Sequence, residues 1–267
     1  VCCNDCGPEV YLIGKKERGR EAITETRRVI ASGGIAAIKG IGGFHLCCDA
    51  TSQAAVERLR RVDPGAASLA RYLHGRGGGF PVYQNTEVTY FPGGEAKFAE
   101  LLRQLEKAER YIFLEYFIID EGLMWGRILE VLARKAAEGV DVRVMYDGTC
   151  EFSTLPRDYP HRLEKLGIQC RVFAPVQPFV STHYNYRDHR KILVIDGKVG
   201  FTGGVNLADE YINHIEKYGC WKDAAVMLEG EGVRTLTILF LEMWSIRRES
   251  EFGKFLSAPP YSVPAKG

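Results

Sequence analysis

The chain has 267 residues, 46% of them apolar and 26% charged, with a formal net charge of +1. That balance describes a globular protein of one large or two smaller domains and excludes a disordered or fibrous chain. A net charge so near zero exerts no global pull on nucleic acid or anionic lipid, so any basic site has to be local. No apolar run reaches the ~20 residues of a membrane-spanning helix: the longest, Thr235 to Ile246, is short and carries Glu242. The opening Val1-Cys2-Cys3-Asn4-Asp5-Cys6 lacks the charged head and apolar run of a signal peptide.

At the start, Cys3-x-x-Cys6 has the spacing of half a zinc site. No second pair stands at usable spacing, so reduced thiols and no bound metal are the expectation. Glu21 to Ser32 follows a helical pattern that stops at Gly33-Gly34, and Ile35 to Ile38 reads as a short strand. Lys39 then precedes a glycine-rich loop from Gly40 to Phe44, and Thr51 to Arg61 reads as a helix capped by Thr51. Breakers around Pro64-Gly65 and Gly77-Gly78-Gly79 mark residues 62–80 as a linker between a segment 1–61 and a larger unit 81–247. Residues 248–267 are set apart as a tail.

In the larger unit helix and strand alternate. A helix from Lys97 to Glu109 places Phe98, Leu101, Leu102, Leu105 and Ala108 on one face. Tyr111 to Ile119 is a strand, apolar except for Glu115, and Trp125 to Glu138 is a helix stopped by Gly139. Val140, Val142 and Val144 alternate in the next strand, followed by a helix from Pro160 to Leu166 and a strand from Ile168 to Phe173. This rhythm predicts an α/β fold with a mixed, mostly parallel sheet flanked by helices. Lys191 to Ile195 and Lys198 to Thr202 then form a hairpin around Asp196-Gly197, and a helix is expected from Leu207 to Tyr218.

The chemistry concentrates at that hairpin. On an extended strand His189 and Lys191 share one face, about 6.6 Å apart, and can hold a phosphate between an imidazole and an ammonium. Burial strengthens the pull of the cation on developing negative charge, and a neutral imidazole is a competent nucleophile towards phosphorus. Asp196 reads first as the turn residue of the hairpin, with proton transfer as the alternative. Gly203 and Gly204 either line the phosphate site or end a strand. Asn206 either binds phosphate or caps the helix that follows, whose N-terminus is itself suited to an anion.

Taken together, His189-x-Lys191-x4-Asp196-x6-Gly203-Gly204-x-Asn206 resembles the HKD motif of the phospholipase D superfamily. Phe113 to Asp120, Val144 to Gly148, Asn185 to Lys191, Asn206 to Tyr211 and Trp221-Lys222-Asp223 are similar to bacterial cardiolipin synthases, over about Leu69 to Ile246. The resemblance implies a phosphatidyltransferase lobe that needs no cofactor and takes phosphatidylglycerol. His189 would be the nucleophile, Lys191 and Asn206 phosphate ligands beside Gly203 and Gly204, and Asp196 an orienting or structural member. That family uses two such motifs and this sequence carries one, so a homodimer is the expected way to complete the site. The implied location is cytoplasmic, or peripheral at the inner face of the cell membrane.

A separate likeness covers residues 1–61. Cys3-x-x-Cys6-Gly7-Pro8, Ala37 to Leu46 and Cys48-Asp49-Ala50 resemble the hydrogenase-maturation carbamoyltransferases, at the end of their zinc region and the start of a YrdC-like domain. There Lys39 and its loop would help hold ATP and carbamate. The rival readings are a single-motif dimeric phosphodiesterase or nuclease, an inactive chimeric fragment, and a carbamoyltransferase acting through the first segment. The absence of a broad basic stripe disfavours nucleic acid as a partner.

Overall fold

The computed structural model describes residues 10–40, 43–49, 51–62, 83, 85–175, 187–217, 219–246, 248–249, 251–257, 259 and 261–263. Cys3, Cys6, Asn185 and nearly all of the 62–80 linker therefore lie outside the described residues, as does the side chain of Lys39. The chain divides into two units, Val1–Val82 and Tyr83–Gly267.

The first unit contains α1 (Gly19–Ala31), β1 (Ala36–Gly40), β2 (Gly43–Cys47) and α2 (Gln53–Val62), with β1 and β2 antiparallel. Helix α1 stops where Gly33 takes a φ of 79°, a left-handed conformation that favours glycine at a helix end. The cap of α2 is Ser52 and not Thr51: Ser52 Oγ accepts from the Ala55 N–H at 3.3 Å. Thr51 instead gives its N–H and hydroxyl to Asp49 Oδ1, at 2.9 and 2.7 Å. Two small polar residues compete for one capping position, and the Asp49 turn removes Thr51 from the contest.

The second unit is built on a seven-stranded sheet. Its elements are β3 (Thr86–Phe91), α3 (Gly94–Leu105), β4 (Tyr111–Tyr116), α4 (Leu123–Ala137), β5 (Asp141–Asp147), α5 (Cys150–Ser153), α6 (Tyr159–Glu164) and β6 (Gln169–Phe173). There follow β7 (Lys191–Ile195), β8 (Val199–Gly203), a 3-10 turn (Asp209–Ile212), β9 (Ala225–Gly230), α7 (Val233–Trp244) and α8 (Phe252–Leu256). The sheet order is β3-β9-β8-β7-β4-β5-β6. The mixed α/β class holds. Parallel pairing is confined to β4-β5-β6, where helices make the crossovers, and the other neighbours are antiparallel.

Strand β4 is central and buried along its whole length. Ile112, Leu114 and Tyr116 face one core with Leu101 and Leu105 of α3 and Ile128 and Leu132 of α4. Tyr111 and Phe113 face the other, with Val233, Leu236, Phe240 and Trp244 of α7. The period of two sends alternate residues to opposite layers, so both faces are covered by helices. Each such Leu, Ile or Phe contributes roughly 1.5–3 kcal/mol by leaving water.

The hairpin between β7 and β8 forms with Asp196 at φ 55° and Gly197 at φ 67°, the two left-handed positions a tight hairpin turn demands. The helix expected from Leu207 to Tyr218 is absent over its described residues, where a 3-10 turn of four residues, Asp209–Ile212, stands instead. Asp209 shows why. Its carboxylate accepts the N–H groups of Leu123 and Met124 at 2.9 and 2.7 Å, capping α4 rather than serving its own turn. Asn213, at φ 53°, then ends the turn and accepts the Trp221 N–H.

Candidate active site

The motif occupies the start of β7, beside the C-terminal end of β4. His189 is exposed, and its ring lies 4.7 Å from that of Phe117, just past β4. Lys191 is buried; its ammonium donates to the His189 carbonyl at 2.7 Å and sits 5.2 Å from the centre of the Phe117 ring. Burial holds Lys191 below the usual lysine range, against the pull of Asp223 and Asp188. The chain thus presents an accessible imidazole and, two residues on, a partly desolvated cation bonded to the same residue's carbonyl.

A second buried lysine, absent from the sequence reading of the site, stands behind this pair. Lys97 of α3 is 1% exposed and donates to the Val205 carbonyl at 3.0 Å and the Tyr116 hydroxyl at 3.3 Å. Burial pushes it down to about 7, opposed by the charge of Asp223 and reinforced by that of Lys191. Lys97 precedes Leu101 by four residues and so belongs to the apolar stripe of α3; a lysine on that stripe was the available signal.

The loop after β8 closes the same end. Gly203 has a φ of 148°, and a Cβ there would stand 2.5 Å from the Ala224 carbonyl oxygen; at Gly204 a Cβ would overlap the Asp223 carboxylate. Both positions require close backbone approach. Asn206 is buried; its side-chain oxygen accepts the Ile118 N–H at 3.0 Å and its amide donates to the Tyr211 hydroxyl at 2.8 Å. It therefore ties the segment after β4 to the loop carrying the glycines.

Asp196 lies at the far end of β7. Its carboxylate accepts the N–H groups of Glu109, Arg110 and Tyr111 at 2.9, 2.8 and 2.9 Å, fixing the entry of β4 against the hairpin. Five strand residues, a span of roughly 16 Å, separate it from the Lys191 end.

The flanks of His189 are held by an acidic cluster on the opposite face of β4 from Tyr116. Asp147, at the end of β5, accepts the Asp188 N–H at 3.1 Å and an Arg187 guanidinium N–H at 3.3 Å. Asp188 accepts from Arg190 Nε at 2.8 Å, and Arg190 Nη2 lies 2.9 Å from Glu115 Oε1. Glu115 is fully buried, with the Arg190 guanidinium as its ion-pair partner. Burial, then the hydrogen bond to Asp188 and its charge, push Glu115 up to about 10. Burial works to raise Asp188 as well, yet the hydrogen bonds from Glu115 and Arg190 hold it below the usual carboxylate range. The pair thus shares one proton, resident on Glu115 at neutral pH. Glu115 was legible as a lone charge in an apolar strand, but its partners were not.

Among the described residues no group of His, Cys, Asp and Glu could hold a metal ion, and no helix is long and apolar enough to cross a membrane.

Residues 101–232 match the family described as "Cardiolipin synthase, PLD-like domain". The matched residues lie within the second unit. At the level of individual relatives, a cardiolipin synthase of Halalkalibacterium halodurans is 37% identical over 210 residues, 78% of this chain and 41% of that protein. An uncharacterized protein of Streptococcus mutans is 61% identical over 211 residues, 79% of this chain and 46% of its own length. The chain thus spans less than half the length of these curated relatives. Among solved structures, NucT from Helicobacter pylori aligns with a TM-score of 0.47 and 13% identity, covering 60% of this chain and 96% of that one. Residues 28–63 match a different family, Sua5/YciO/YrdC, described as "Telomere recombination".

Proposed function

We propose that the second unit supplies one half of a phosphatidyltransferase site of the cardiolipin synthase kind, with His189 as the nucleophile. The observation that carries this reading is the exposed His189 ring beside the buried Lys191 ammonium, in a domain matching that family. In the first step an imidazole nitrogen of His189 attacks the phosphorus of phosphatidylglycerol. The P–N bond forms, the P–O bond to the glycerol headgroup breaks, and the departing oxygen takes a proton from a general acid. In the second step the hydroxyl of another phosphatidylglycerol attacks phosphorus, gives its proton to the same group, and releases His189 with cardiolipin.

Lys191 stabilises the charge that grows on the non-bridging oxygens. Gly203 and Gly204 let the Ala224–Asp223 segment pack against the loop beside the site, and Asn206 has one further amide N–H beyond its bond to Tyr211. Asp196 holds the frame. The general acid and base is a second imidazole, and in this reading a second copy provides its own His189 across a two-fold axis. For residues 1–61 we infer kinship with the start of the YrdC-like domain of the hydrogenase-maturation carbamoyltransferases, and we assign that segment no part in the phosphatidyl step.

The test is to incubate the chain with headgroup-free and intact phosphatidylglycerol in mixed micelles, quench in base, and look for an acid-labile phosphatidyl adduct by mass spectrometry. The adduct is expected at His189 with intact lipid and is lost in His189→Ala. Mixing wild type with His189→Ala should depress turnover more steeply than the wild-type fraction falls. A linear fall would exclude the shared site, and an adduct elsewhere would exclude His189.

A further inference from the structure

Away from His189, the surface between β6 and the end of α7 holds two clefts, about 310 and 650 Å³, that share Arg171, Trp244 and Arg248. The larger lies within the ~300–1,000 Å³ range of ligand pockets. Its wall is divided by chemistry. Met145, Phe173 and Met243 supply an apolar side, while the shared residues supply donors. Arg171 stacks on Trp244, its guanidinium carbon 4.0 Å from a ring centre, and donates to the Trp244 carbonyl. Among the described residues the buried Trp244 indole N–H meets no acceptor.

These donors lack an anion. Among the described residues no carboxylate lies in ion-pair reach of Arg171 or Arg248; Glu251 and Asp141 are taken by Arg143, and Glu164, on the rim of the smaller cleft, by His161. Burial, then the charges of Arg248 and Arg143, hold Arg171 below the usual arginine range against the pull of Glu251, so cations here are crowded. An anion placed between Arg171 and Arg248 would offset that crowding. An inorganic anion would leave the methionines and phenylalanine beside it unused.

We propose that this cleft binds one anionic phospholipid, with the phosphate on Arg171 and Arg248 and an acyl chain along Met145, Phe173 and Met243. Such a site gives a chain of net charge +1 the local attraction to an anionic lipid surface that its overall charge does not provide. It stands on its own geometry and does not require His189 to be a nucleophile.

The experiment is co-sedimentation of the full chain with phosphatidylcholine vesicles, with and without phosphatidylglycerol, alongside a titration with inorganic phosphate. Wild type should bind only the vesicles that contain phosphatidylglycerol. Arg248→Glu, at an exposed position, should weaken that binding about tenfold or more, and Met243→Glu should weaken it while circular dichroism stays unchanged. His189→Ala should bind as wild type does. Equal vesicle binding by both cleft variants, or loss of binding in His189→Ala, overturns the proposal. Arg248-dependent binding of inorganic phosphate without vesicle binding also overturns it, because the cleft would then be a simple anion site.

Discussion

At one end β7 runs into Asp196, whose buried carboxylate receives three backbone N–H groups; at the other it starts from His189, whose ring stands exposed against Phe117. Around Asp196 the carboxylate and the residue's own N–H are both bonded to the backbone at the entry of β4. Around His189 the fold tolerates a buried lysine bonded to the Val205 carbonyl, a second buried lysine bonded to the His189 carbonyl, and a buried glutamate that burial pushes up. One motif therefore spends its carboxylate on architecture and concentrates its electrostatic strain near the imidazole. Strain of this kind is what a phosphate-handling site requires, since an incoming anion relieves it.

The comparison makes Asp196→Ala the most destructive single change. Three N–H groups at the entry of β4 would lose a charged acceptor, and we expect a loss of about 3 kcal/mol by urea denaturation. Any fall in adduct formation should then track the unfolded fraction. An Asp196→Ala protein as stable as wild type, yet unable to form the adduct, would break the division of labour between the two ends.

Lys97 and Glu115 sharpen the other end because they act with opposite sign. Lys97→Met removes a buried cation and should raise stability at pH 6 by about 1 kcal/mol, the lost bond to Val205 offsetting part of the gain. The pH dependence separates the two more cleanly. Glu115 is protonated in the native state up to about 10 but ionised in the unfolded chain above the ordinary carboxyl value of 4.5, so its contribution is full below 4.5 and falls as pH rises towards 10. Lys97 loses its proton in the native state near 7 but keeps it to about 10.5 when unfolded, so stability rises with pH between those values. Each slope reaches at most about 1.4 kcal/mol per pH unit, and between 7 and 10 they cancel. Glu115→Gln should therefore make stability climb with pH in that window, and Lys97→Met should make it fall. Parallel profiles for both variants would show that neither proton state is as assigned.

These two groups also mark the limit of what the sequence made legible. The alternation of helix and strand and the hairpin at Asp196-Gly197 follow from periods of 3.6 and 2 and from turn chemistry, which are local. The partners of Glu115 are not local: Asp188 and Arg190 reach it only once β7 lies antiparallel to β4, with Glu115 opposite Ile192. Lys97 meets Val205 across 108 positions of sequence. The helix expected after Asn206 failed for the same reason, because Asp209 is drawn away to cap α4, a competition visible only in three dimensions. Strands β3 and β9 went unread since they pair with each other at the sheet edge, with exposed residues such as Val88 and Tyr90 blurring the pattern.

The smallest expected effect on stability belongs to His189→Ala. The imidazole is exposed, its ring contact is with Phe117, and the bond its residue makes to Lys191 comes from the backbone carbonyl, which alanine keeps. Exposed substitutions of this kind stay within about 0.5 kcal/mol, so thermal and urea denaturation should scarcely register the change. The adduct, by contrast, should vanish, because the imidazole that would carry it is gone. Equal stability with total loss of adduct is the signature of a residue placed for chemistry. A loss of stability comparable to that of Asp196→Ala would instead make His189 one more structural member of β7.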